Sequence, residues 1–71
     1  MFAGSESITM KLGGVTDAAS RRAATQVLRG QRGVKFAVVD SHAVAAVTYR
    51  VGQTDVATIT AALAQAGYYV I

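Results

Sequence analysis

The chain contains no cysteine and no asparagine. Without a thiol it can form neither a disulfide framework nor a thiolate metal site. No apolar stretch approaches the roughly 20 residues that a membrane-spanning helix needs. The start, Met1 to Glu6, is polar and lacks the apolar segment of a signal peptide. Carboxylates are also scarce: four Asp/Glu stand against seven Lys/Arg, a net charge of +3. What the 71 residues do have is hydrophobic content, 52% of the chain. In a chain of this length it implies a single domain with a packed core. A domain this small buries roughly 60% of its unfolded surface, so its stability is modest.

Five of the basic residues, Arg21, Arg22, Arg29, Arg32 and Lys35, fall within fifteen positions. Such clustering suits an acidic partner or nucleic acid, but it equally describes a solvated helix face, which is the favoured reading.

Local patterns give the order of elements. Residues 1–6 are expected to be a flexible start, and residues 7–71 the domain. Ile8, Met10 and Leu12 alternate with Thr9 and Lys11, the period of a half-buried strand. Gly13 and Gly14 end it. From Ala18 to about Gly30 the composition turns to helix formers, with Ala24, Val27, Leu28 and Gln31 sharing a face and Arg22 and Arg29 outside it. Val34, Phe36 and Val38 alternate with Lys35 and Ala37 in a second strand, and Phe36 is expected to pack under the helices. After the turn at Asp40–Ser41–His42, a third strand runs from about Ala43 to Val51 and completes a hairpin. Thr54 or Asp55 caps a second helix whose apolar stripe is Val56, Ile59, Leu63 and Ala66. Tyr68 to Ile71 form a short last strand, with Tyr68 against the core and Tyr69 on the opposite face.

The order is β-α-β-β-α-β, so the expected class is α+β. The architecture is a ferredoxin-like sandwich, a four-stranded antiparallel sheet with two helices on one face. Its connectivity places Asp17, Asp40, His42 and Tyr68 at one end of the sheet. The fold hosts many functions, so function has to come from a site. An acylphosphatase-like enzyme needs an arginine in the first loop and a positioned asparagine. "GGVTDAAS" (Gly13–Ser20) has no arginine and the chain no asparagine, so that reading is dropped. An RNA-recognition module needs stacking aromatics on its central strands. "RGVKFAVV" (Arg32–Val39) has Val34 after the glycine and falls on the second strand, so nucleic acid ranks last among the partners considered.

Gly14-Val15-Thr16-Asp17-Ala18-Ala19-Ser20 lies between the first strand and the first helix. Leu28 and then Gly33-Val34 lead into the second strand. Val47-Thr48-Tyr49 lies in the third, and Ile59, Leu63 and Ala66-Gly67-Tyr68 close the last helix. In order and spacing, from Ile8 to Val70, the chain resembles the heavy-metal-associated domains of copper chaperones and of heavy-metal-transporting P-type ATPases. That family carries Gly-Met-Thr-Cys-x-x-Cys in the first loop. Here Asp17 and Ser20 stand at the two cysteine positions and Val15 at the methionine. Gln31 replaces an apolar residue late in the helix.

The resemblance implies a cytoplasmic domain that is not an enzyme and that begins a larger metal transporter. Ile71 falling where the last strand should end fits a piece of such a protein. Its partners would be other domains of the transporter or a metal chaperone, with no membrane insertion by this segment. Arg21, Arg22, Arg29 and Arg32 would be the docking face. The alternative is a stand-alone adaptor that binds an acidic protein surface through its basic helix. Tyr68 corresponds to the aromatic that shapes the surroundings of the family's metal loop. The family's thiolate chemistry does not transfer, because soft ligands select Cu(I) and carboxylate and hydroxyl oxygens do not. Asp17, Ser20 and His42, with Asp40 beside them, remain as a weak oxygen-and-nitrogen set for Zn²⁺ or Ni²⁺. Asp17 has a simpler role open to it, as the N-cap of the first helix with Ser20 at the third helical position.

Overall fold

The computed structural model describes residues 4–71. Six elements follow in the expected order: β1 (Ser5–Gly13), α1 (Ala18–Arg29), β2 (Val34–Val39), β3 (Val44–Arg50), α2 (Val56–Gln65) and β4 (Tyr69–Val70). The sheet order is β2-β3-β1-β4 with every pairing antiparallel. This is the ferredoxin-like βαββαβ sandwich. β1 begins at Ser5, which pairs with Arg50, and Glu6 pairs with Tyr49. Ser5 and Glu6 therefore belong to the sheet and not to a flexible start; residues 1–3 of that expected segment lie outside the described residues.

The core forms where alternation on the strands meets the helix stripes. Met10 and Leu12 of β1, Ala37 and Val39 of β2, and Ala45, Val47 and Tyr49 of β3 are buried under Ala24 and Leu28 of α1 and Ile59 and Leu63 of α2. Val56 and Ala66, expected in the stripe of α2, are exposed, so that stripe narrows to Ile59 and Leu63. Gln31, the polar residue near the end of α1, is half-buried and donates from Nε2 to the Val27 carbonyl at 3.1 Å. Its amide thus enters the core margin with a partner.

β2 departs from its sequence pattern. Val34 pairs with Tyr49, but Phe36 pairs with Thr48, so Lys35 is an extra residue in the ladder. Such a bulge shifts the side-chain phase by one. Val34 still packs against the core, whereas Ala37 and Val39 become the inward residues. Phe36 does not pack under the helices: it is 55% exposed, on the open side of the sheet, and Val38 follows it.

Candidate functional site

The loop after β1 turns at Gly14, whose φ of +91° is a left-handed conformation that side-chain-bearing residues avoid. A Cβ there would also come within 2.9 Å of the Gly67 carbonyl oxygen. Val15 packs on the core, and the chain then enters α1 through Asp17, whose φ of −154° is extended, as an N-cap requires.

Asp17 and Ser20 are brought together and bonded to one another. The Ser20 N–H donates to Asp17 Oδ1 at 2.8 Å. The Asp17 N–H donates back to Ser20 Oγ at 3.0 Å, closing a reciprocal capping box. Ser20 Oγ also accepts the Thr16 N–H at 2.9 Å and donates to the Asp17 carbonyl at 3.1 Å. That hydroxyl accepts twice and donates once, so its capacity is full. The Ser20 backbone bond, and then the Ser20 side chain, hold the Asp17 carboxyl below its ordinary pKa.

One carboxylate and one saturated hydroxyl do not fit a soft monovalent ion, which needs thiolate or thioether donors. The wider set does not assemble either. Among the described residues no group of three His, Cys, Asp or Glu could hold a metal ion. Asp40 is engaged within its own turn: its Oδ1 accepts the His42 N–H at 2.8 Å and the Val44 N–H at 3.0 Å, which lowers its pKa. His42 is exposed beyond that turn.

Tyr68 lies where the sequence placed it, half-buried against the core at the same end as the loop, and its hydroxyl donates to the Ser20 carbonyl at 3.3 Å. The arginines divide. Arg22 and Arg32 are exposed, while Arg21 is half-buried. Arg29 is exposed but donates from Nε to the Ala37 carbonyl at 2.9 Å, tying α1 to β2. A cleft of about 350 Å³ at the other end of the sheet escaped the sequence reading, because it joins the two ends of distant elements. Glu6, Tyr49, Thr54, Asp55 and Thr58 are among its walls.

No protein-family model and no curated protein matches the chain, but solved structures do. Oxidized MerP from Ralstonia metallidurans CH34 is similar with a TM-score of 0.90 at 26% identity, over 96% of this chain and 96% of that one. The water-soluble region of the P-type ATPase CopA from Bacillus subtilis gives a TM-score of 0.89 at 28% identity, over 100% of this chain. This chain spans about half of that region, 48% of its length. The CopZ metallochaperone, at 21% identity, shows the fold alone: TM-score 0.86 over 93% of this chain and all of that one.

Fold and neighbours together define the class, a ferredoxin-like domain with the architecture of heavy-metal-associated domains. The particular proteins it is similar to are a metallochaperone, a soluble region of a P-type ATPase, and MerP. None of the described helices is long and apolar enough to cross a membrane.

Proposed function

We propose that this chain is a heavy-metal-associated-type domain that has exchanged its metal hook for a helix cap. It is the cytoplasmic N-terminal domain of a metal-transporting P-type ATPase. There it docks on other domains of the transporter or on a metal chaperone, and regulates without carrying the ion itself. No catalytic step is assigned to it. The capping box between Asp17 and Ser20 supports this reading most directly: the positions that would ligate are bonded to each other and to their own backbone. The exposed Arg22 and Arg32 are the free part of the docking face. Zn²⁺ or Ni²⁺ meets too few donors for a tight site, since among the described residues no three His, Cys, Asp or Glu come together.

The test restores the thiols. Asp17→Cys with Ser20→Cys puts two sulfurs three residues apart at a helix start, on neighbouring parts of one face. In a competition assay against a Cu(I) chelator, the folded double variant should bind Cu(I) tightly and the parent chain should not. Tight binding by the parent would overturn the loss of the hook. A folded double variant that fails to bind would overturn the placement of the loop.

A further inference from the structure

The helices cover one side of the sheet; the other side is open along its whole length. The parity of β1 and β3 puts Ser5, Ser7, Thr9 and Lys11 on this open side, with their partners Arg50, Thr48, Ala46 and Val44. The centre is thus built from small and hydroxyl-bearing side chains, and Ser7 and Thr48 bond at 2.8 Å across it. Exposed aromatic rings rise only at its two edges, and the long side chains of Lys11 and Arg50 stand at opposite ends of the two central strands.

Each edge combines a ring with a cation. On β2 the bulge turns Phe36 outward, and the extra residue, Lys35, reaches across the face to donate to Ser5 Oγ at 3.3 Å. On β4, Tyr69 is 62% exposed and pairs with Gly13. Its ring lies over Gly13, in space that a Cβ at position 13 would occupy. One side of the ring therefore rests on the sheet and the other faces solvent. Lys11 is adjacent, its carbonyl accepting the Ile71 N–H at 2.9 Å.

The charge on this face has one sign. Lys11, Lys35 and Arg50 are on it, and among the described residues none of the four carboxylates is. Asp17 and Asp55 cap helices, Asp40 closes the β2–β3 turn, and Glu6 is on the inner side, where its Oε1 accepts the Tyr49 hydroxyl. Like charge disfavours a second copy packed face to face. A low centre between raised edges suits a linear polyanion better than a flat lipid surface. Between linear polyanions, the two open rings decide: a planar base stacks on a ring, and a carboxylate does not.

We propose that this open face binds single-stranded nucleic acid. Bases stack on Tyr69 and Phe36, phosphates meet Lys11, Lys35 and Arg50, and the Ser and Thr hydroxyls between them contact sugar and base edges. Lys11 and Ser5 are six residues apart on one strand, so the platform is roughly 20 Å long, room for a few nucleotides. The inference is independent of the metal loop, which lies at the end of the sheet, and of the helical docking face on its other side. Phe36, expected under the helices, is instead on this surface.

The test is fluorescence anisotropy of the whole chain with labelled (dT)12 and (rU)12, against duplex DNA of that length and a polyglutamate peptide of equal charge. Binding should favour the single strands. The logarithm of the affinity should fall with the logarithm of salt at a slope of about −2, from about 0.7 per phosphate for three contacts. Phe36→Leu and Tyr69→Leu keep apolar bulk and the fold, and each should weaken binding at least about fivefold; Tyr69→Phe should retain it. Lys11→Gln with Arg50→Gln should bring the slope to about −0.7. Absence of single-strand binding in low salt would overturn the proposal, as would equal affinity for polyglutamate. So would ring variants that bind like the parent.

Discussion

The Tyr68 hydroxyl donates to the Ser20 carbonyl oxygen at 3.3 Å, joining residues 48 positions apart. The bond fastens the segment before β4 to the first turn of α1, so the loop between β1 and α1 is closed from two sides. Tyr68→Phe removes the donor and leaves the packed ring. It should lower stability by about 0.5–1.5 kcal/mol, the net worth of one hydrogen bond. Hydrogen exchange should quicken at the start of α1. Unchanged exchange there would mean that the capping box alone fixes the helix start.

The capping box makes Asp17 and Ser20 act as one unit. Asp17→Ala and Ser20→Ala should each lower the melting temperature by a few degrees. The double variant should lose clearly less than the sum, since each side chain satisfies the other's backbone N–H. Thermal unfolding of the four proteins in the cycle measures this, and strict additivity would show the two bonds to be independent.

Stability should fall on both the acid and the alkaline side. Asp17, Asp40 and Asp55 each accept a backbone N–H, at Ser20, Val44 and Thr58 respectively, and these bonds hold their pKa values below the ordinary 3.8. A carboxyl with a folded pKa below its unfolded one stabilises the fold above the unfolded value; that contribution is lost as pH falls through the folded one. Urea unfolding should therefore show stability declining from about pH 4 downward. Asn at the three positions, which keeps an acceptor but not the charge, should flatten that limb. Tyr49 is shifted the other way, raised above 10.0 by its burial and then by Glu6. Its contribution is complete below 10.0 and is lost as pH rises past it, so Tyr49→Phe should flatten the alkaline limb.

Thr54 Oγ1 is buried and has no hydrogen-bond partner among the described residues. An unsatisfied buried hydroxyl destabilises, and a methyl of the same size does not. Thr54→Val should leave stability unchanged or raise it by about 1 kcal/mol, as read by the denaturation midpoint. A clear loss would mean that the hydroxyl has a partner, such as a bound water.

The element order, the cap at Asp17 and the opposite facing of Tyr68 and Tyr69 were legible because each is local. Alternation and turn glycines mark strands and their ends, and an Asp before an alanine-rich run marks a helix start. The face of Phe36 was not legible. Val34, Phe36 and Val38 alternate without interruption, and the bulge at Lys35 is visible only in how β2 pairs with β3. The pairing of Ser5 and Glu6 with the end of β3 escaped notice for the same reason, as both residues are polar and their partners are more than forty positions away. The donor set of the loop was readable from residue types alone. That Ser20 Oγ is saturated was not, since that depends on how Thr16 and Asp17 present their N–H groups.

The closure of the loop by Asp17, Ser20 and their own backbone has a consequence for whatever meets this end of the molecule. Neither oxidant nor chelator acts on an Asp–Ser cap, so the surface keeps one shape in reducing or oxidising surroundings and through feast or famine of ions. A partner that recognises it reads a fixed landmark.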